Sequence, residues 1–472
     1  MSLTYNNLEI RPYQLLSIQE LSISKHINEH TRVRFTVIIP EELRDSYVQT
    51  TDEDMLISVH HIDDKGVSKP LFSGLPVSVE VKVIQGVYTL EVEAISHTYR
   101  MDQKRRYRSF QDIKLTIPEM LKQIGQDYDG LDVIDEASAN AKIGRIAIQY
   151  NETDWEFLRR IASRYRTSLM PASQFDTPKF YFGICESSTP VELDHTRYTV
   201  RKRMTPFRYF TENEASAPVD EQDFIVFEVE TDEVMELGGH IQFQGRSLYV
   251  SEAYTDMSGG LVRNWYVLSS HKGLRQKAYF NAELTGASLN GKVIDVTGDQ
   301  VKVHFQIDAV QDPEKAHWFP YSTIYSAEGH SGWYVMPEIG DPVSIYFPSS
   351  REEEGIGGSA VRQDRKVSAS NKLSNPNVKI FRTPSGKEIR LAPDEIIITS
   401  KEESVFIKLN DHDGIHIQGS KGVTLSAGGN ISLSAKKNIT MSADGELNLE
   451  CKGSHVHLGS HASITGAEVK SN

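Results

Sequence analysis

Near the C-terminal end stands SHVHLGSH, which places His455 and His457 one residue apart. On a strand, residues two apart leave the same face, so both imidazoles would point one way. Neutral imidazole is a common ligand for transition metals, but two from one chain are an incomplete set. Three chains would supply six nitrogens, an octahedral arrangement suited to a first-row transition metal, with iron as the first guess. The other reading is that the histidines are solvated where the structure frays. His60-His61-Ile62-Asp63-Asp64 also looks ligand-like, but a strand end followed by a DDKG turn explains it more simply. Asp411-His412-Asp413 reads as a polar corner. Lys104-Arg105-Arg106-Tyr107-Arg108 reads as a solvated face, with contact to a neighbouring subunit as the lesser reading. H-E-x-x-H, G-x-S-x-G and phosphate-loop motifs are missing. The 65 acidic residues offer many Glu/Asp pairs for glycan cleavage, and no segment sets one apart.

The elements that carry His455 and His457 are legible from a repeat. From Gly414 to Gly453 the chain reads GIHIQGSK, GVTLSAGG, NISLSAKK, NITMSADG, ELNLECKG. Place two holds Ile415, Val423, Ile431, Ile439 and Leu447; place four holds Ile417, Leu425, Leu433, Met441 and Leu449. Place one holds Gly414, Gly422, Asn430 and Asn438, residue types that accept positive φ. Each eight is therefore expected to be a short strand with one apolar face, ending in a corner. A triangular coil needs about three such sides per turn, and repeat folds need about three stacked units. Five eights in one chain fall short. Three chains wound together would close the prism, with these ten residues on a common axis. A single-chain coil capped by another domain is the alternative. Continued into the next eight, the register puts His455 and His457 in places two and four.

Upstream, RVRFTVIIP, MLISVHHI and YTLEVEAIS read as strands. Capping boxes start two helices: Thr116 with Glu119, and Thr153 with Glu156. In the second helix Trp155, Leu158, Ile161, Ala162 and Tyr165 form an apolar stripe, expected to be core. A faint echo, Phe72-Ser73-Gly74 before one hairpin and Phe243-Gln244-Gly245 before another, suggests a duplicated β unit. GKVIDV, DQVKVHF, GWYVMP and DPVSIYF suit a small OB-type barrel.

Composition bounds the rest. The 472 residues suggest about three domains, and 39% hydrophobic with 25% charged residues is the profile of a soluble folded protein. A net charge of −14 argues against nucleic acid or an anionic membrane as main partner. Two cysteines, Cys185 and Cys451, make no disulfide framework and fit a reducing cytosol. The first residues, MSLTYNNLEIRPYQ, hold no signal-peptide core, and no segment has the roughly 18 apolar residues of a membrane span.

Four stretches together resemble the VgrG-type spike proteins of type VI secretion and related contractile injection systems, and the phage hub and spike proteins akin to them. These are QYNETDWEFLRRIASRY (Gln149 to Tyr165), RSFQDIKLTIPEMLKQI (Arg108 to Ile124), GWYVMPEIGDPVSIYF (Gly332 to Phe347) and FRTPSGKEIRL (Phe381 to Leu391). The resemblance implies a mostly β protein working as a homotrimer. A hub of β-barrel-like domains would span 1–280, with a small α/β insert near 105–200. An OB-fold barrel would follow at 281–360, then a linker at 361–378. An intertwined trimeric β-helix, or β-prism, would fill 379–472, with its tip at 454–472. The family implies docking on an Hcp-like inner-tube subunit or baseplate proteins, often a PAAR-type tip protein, effector cargo, and transient contact with a target membrane. It implies assembly in the cytoplasm and delivery by contraction. Iron sites of the His-x-His kind occur at the tips of related phage spikes. Some members carry an enzymatic domain after the shaft, whereas only LGSHASITGAEVKSN follows His457 here, so no enzyme is expected. A glycan-active enzyme and a glycan-binding tail adhesin are the alternatives; the lack of Phe, Tyr and Trp from Asp411 onward counts against the adhesin.

Overall fold

A computed structural model describes residues 7–43, 45–62, 66–184, 189–193, 197–213, 219–325, 332–359, 375–401, 404–468 and 470. The fold is mostly β, and its contacts divide the chain into two units, 1–363 and 364–472. Cys185, Asp63, Asp64 and most of the expected linker lie outside the described residues.

In the first unit, alternation decides which faces are buried. Leu21 and Ile23, Val33, Phe35 and Val37, and Leu90, Val92 and Ala94 come from neighbouring strands and close one core. A second core gathers Phe227, Val229, Ile241, Val250, Tyr266 and Leu268. Strand Ser17–His26 pairs antiparallel with Arg246–Ser258, so both β units share one continuous sheet. The two stretches of the suggested duplication lie at long hairpins. Ser68–Ile84 with Val87–Ser96, and Arg246–Ser258 with Leu261–Ser269, are comparable hairpins. Gly74, however, sits inside a strand, where a Cβ would lie 2.1 Å from the Ile95 carbonyl oxygen. Gly245 forms a turn at φ 71°. The two glycines answer different needs.

Both expected helices form with their caps. Thr116 and Glu119 close the box before Ile117–Gly125, and Thr153 and Glu156 close it before Asp154–Arg164. The stripe Trp155, Leu158, Ile161 and Ala162 is buried as expected, while Tyr165 is half-buried. A third helix, Met204–Asn213, has only Phe210 buried and left no clear apolar period to read. The insert is tied to the hub at Asn28, whose φ is 66°. Trp155 Nε1 donates to the Asn28 carbonyl at 3.0 Å, and the Leu169 amide donates to Asn28 Oδ1 at 2.8 Å.

The barrel has five strands: Ser288–Thr297, Gln300–Phe305, Trp318–Pro320, Pro342–Tyr346 and Ile356–Ser359. The first pairs with the second and fourth, the second with the third, and the fourth with the fifth. A parallel bridge, Tyr321 to Gly357, brings the third strand's end to the fifth and closes the ring. GWYVMP, expected as a strand, is not one. Trp333, Tyr334 and Val335 are exposed, and the third place is taken by the short Trp318–Pro320, anchored by buried Phe319. Ile146 and Ile148 of the insert lie in the barrel core beside Val301, Phe305 and Phe347.

The second unit begins with a five-stranded antiparallel meander, the base sheet: Lys379–Arg382, Glu388–Leu391, Glu395–Lys401, Val405–Asn410 and Gly414–Gln418. It ends with a three-stranded meander: Leu447–Cys451, Ser454–Leu458 and Ala462–Thr465. Between them, 419–446 forms no strand. The eights therefore make strands within the chain only at Gly414–Gln418 and Leu447–Cys451. Among the described residues none supplies a ladder partner to 419–446. Gly414 has φ 82°, but Gly422, Asn430 and Asn438 are not in the left-handed region.

Candidate functional site

The candidate site is a surface. In a folded chain large aliphatic side chains are usually covered, because each buried one contributes about 1.5–3 kcal/mol. Along the octads the opposite holds. Ile415, Ile417, Val423, Leu425, Ile431, Leu433, Ile439, Met441 and Leu449 are 50% to 72% exposed, and Leu447 is half-buried. The pattern is too regular for scattered exposure, and Val423, Leu425, Ile431, Leu433, Ile439 and Met441 fall in the stretch 419–446 that has no ladder.

The base sheet extends this surface. Pairing aligns Phe381 with Ile389, Ile389 with Ile398, Ile398 with Ile407, and Ile407 with Ile417. Leu391, Ile396, Leu409 and Ile415 form the parallel row. Phe381, Ile389, Leu391, Ile396, Ile398, Ile407 and Leu409 are 39% to 48% exposed. On the other face the charged groups are neutralised by one another. Arg382 donates to Glu388 at 2.8 Å, while Arg390 and Lys408 hold Glu395 at 2.5 and 3.0 Å. Hydrogen bonding from Lys408 first, with the charges of Lys408 and Arg390, keeps Glu395 below the usual carboxylate range. Glu388 is only 5% exposed. One face of the sheet thus bares its aliphatic rows, while the other sets paired charges beside half-buried Ile380, Ile397 and Phe406.

At the tip the two histidines do not share a face with the stripe. A tight turn at Lys452 and Gly453, φ 42° and 84°, pairs Cys451 with Ser454 and shifts the octad register by one. Leu449 now faces Val456, and Leu447 faces Leu458. His455 and His457 fall opposite Glu450 and Asn448; His457 Nδ1 lies 2.5 Å from Asn448 Oδ1, and His455 Nδ1 3.5 Å from Glu450. Among the described residues no group of three or more His, Cys, Asp or Glu could hold a metal ion. In this hairpin the imidazoles face away from the aliphatic row, which does not fit an axial site built on that row.

The remaining candidates resolve into local structure. His60 lies on strand Ile57–Ile62 between Ser58 and Ser68, at 3.2 and 3.1 Å. His61 is on the same strand. Asp411, His412 and Asp413 make the turn before Gly414, where Asn410 Oδ1 accepts from the His412 and Asp413 amides. The basic run is not a solvated face throughout. Arg106 and Arg108 both reach the fully buried Asp154 carboxylate, and Arg105 reaches Glu156. Burial, reinforced by Asp154, pushes the Tyr128 hydroxyl well above its ordinary value. The run therefore anchors the start of helix Asp154–Arg164.

Sequence reasoning missed one cluster. Arg160, buried on that helix, binds Glu152 and, from the barrel side, Glu352; Arg164 also reaches Glu352 at 2.7 Å. Burial opposes ionisation of Glu352, but Arg160 and Arg164 together hold it below the usual carboxylate range. Its triple-glutamate context, Glu352 to Glu354, gave no signal that one of the three would be buried.

No family model matches the chain, and no curated protein does. Solved structures do. An E. coli type VI secretion component, described as similar to the T4 phage tail proteins gp27 and gp5, aligns at TM-score 0.51 and 13% identity, over 74% of this chain and 98% of its own. A Francisella PdpA–VgrG complex aligns at TM-score 0.53 and 9% identity, over 87% of each chain. The fold is the VgrG-type spike fold. A further PdpA–VgrG structure gives the same result at TM-score 0.52 and 10% identity, over 85% and 93%. No described helix is long and apolar enough to cross a membrane.

Proposed function

We propose that this chain is the structural spike of a contractile injection machine, working as three copies. The bare aliphatic stripe of the octads carries this reading: it has the period of a prism side, and no described residue covers it. Three identical stripes meeting on an axis would bury one another, and neighbouring chains would supply the missing ladders. The product is a rigid needle. The hub would join it to an Hcp-like tube subunit or to baseplate proteins. If each hub's two β units take equivalent places, three chains match a six-fold tube. The tip would carry a PAAR-type protein or effector cargo through a target envelope. The closed five-stranded barrel supports an OB-type domain after the hub in the chain. The role is mechanical and non-enzymatic; a glycan-active or glycan-binding spike is the alternative, and turnover on cell-wall glycans would establish it.

A tip metal held by His455 and His457 belongs to this proposal under one condition. On trimer formation the Cys451–Ser454 hairpin must give way to a strand that continues the octad, returning both imidazoles to the stripe. Bound there, a transition metal would cross-link three chains.

Light scattering on the full chain and on a chain ending at Ser370 tests the central claim. A three-chain mass is expected for the first, and weakened or lost association for the second. A single-chain mass for the well-folded full protein overturns the reading.

A further inference from the structure

The octads raise a problem that they cannot solve. Their apolar places repeat every eight residues with Ile or Val at place two and Leu or Met at place four through the three middle eights. Sliding one chain by a full eight along its neighbours replaces like with like, so the interior of the shaft specifies its register weakly. A needle with staggered chains would leave ragged ends and stripes without cover. Something outside the repeat must set the alignment.

The base sheet has the properties required. Its ladder is complete within one chain across five strands, so it offers a formed surface before any partner arrives. Its spacing is not octad: hairpins of different lengths join the strands, and Phe381 adds a large ring with no counterpart in the repeat. Its other face carries the Arg382–Glu388 and Arg390–Glu395–Lys408 contacts beside half-buried Ile380, Ile397 and Phe406, so the aliphatic face is the one with its large apolar side chains exposed. That face runs without a break into the octad stripe through Ile415 and Ile417. Among the described strand residues the charged ones aligned with it are Lys379 and Lys401, both at strand ends, so its centre complements another aliphatic face rather than a charged partner.

We infer that residues 379–418 are an assembly clasp: two further copies of this chain dock on the aliphatic face of the base sheet, and that docking sets the register in which the octads wind. The inference rests on the three-chain reading and adds the order of events. The base sheets meet first, and the shaft, which has no ladder of its own from 419 to 446, zips from that fixed end.

The experiment compares three full-length proteins by light scattering over a dilution series, with circular dichroism to confirm folding. The first is wild type. The second is Ile398→Lys/Ile407→Lys, which charges two paired positions on the clasp. The third is Leu433→Lys, which charges one place in the middle of the shaft. Ile398 and Ile407 are exposed in the single chain, so the double substitution removes little packing from it, although the two lysines face each other across the strands. Ile398→Ala/Ile407→Ala serves as a milder second version should the charged one misfold. The expected result is a three-chain wild type, a clasp variant needing at least about 100-fold more protein to associate, and a Leu433→Lys protein that still forms three-chain particles near the wild-type concentration. A clasp variant that associates like wild type overturns the inference, as does a Leu433→Lys protein that falls apart as readily as the clasp variant. Either result leaves the three-chain spike standing. A single-chain wild type removes both.

Discussion

At the scale of single residues, two positions make sharp claims. Gly291 lies inside the barrel's first strand, where a Cβ would lie 2.3 Å from Val303 and 2.5 Å from the His304 carbonyl oxygen. Gly291→Ala is therefore expected to cost about 1–3 kcal/mol in stability through overpacking against backbone, measurable as a lowered denaturant midpoint with unchanged slope. At the tip, His455→Ala/His457→Ala tests the metal condition. Wild type purified without chelators is expected to carry up to one transition ion per three chains and the variant none; metal-free wild type refutes the site. The histidines themselves were legible in the sequence, but their face was not. One tight turn at Lys452-Gly453 reversed it, and an octad count cannot see a turn that falls inside its own period.

At the scale of elements, the capped helix Asp154–Arg164 organises the first unit. Its start was legible because the capping box is a local device, set by residues three apart. Thr153→Ala should destabilise the fold by about 0.5–2 kcal/mol, read from thermal or denaturant unfolding. Its other end depends on distant partners. Glu352 lies 188 and 192 residues from the arginines it binds, which is why no spacing rule found it. Removing the carboxylate with Glu352→Ala leaves Arg160 and Arg164 without their shared barrel-side partner, and the expected cost is about 3–5 kcal/mol. The pH dependence follows in sign. Glu352 is held below its ordinary value of 4.5, so the stability it adds is complete above that pH and declines as pH falls through the lowered value. Unfolding followed between pH 5 and pH 2 should show this acid loss in wild type and a shallower one in Glu352→Gln. The expected GWYVMP strand failed for a related reason. Its apolar residues suggested burial, yet the barrel closes through Phe319 and leaves Trp333 and Tyr334 in solvent.

At the scale of the whole molecule, the mostly β class and the VgrG-type fold were readable because alternation and the four family-like stretches span most of the chain. The octads were legible as a period of aliphatic residues, but the bared aliphatic face of the base sheet before them was not. There hydrophobic alternation is ordinary; what is unusual is that no described residue covers that face, and alternation alone cannot say which face of a sheet stays bare. The corresponding prediction concerns thermal behaviour. A three-chain spike should melt at a temperature that rises with protein concentration, whereas the chain ending at Ser370 should lose most of that dependence.

The two isoleucines that the insert lends to the barrel bear on how such an object would carry load. Ile146 and Ile148 lie inside the ring of strands, and the Arg160–Glu352 contact pins the same two parts beside them. A force applied to the insert would thus pass to the barrel through close-packed atoms, without waiting for a tether to pull taut. Material of that density hardly compresses, so little of such a force would be lost on the way.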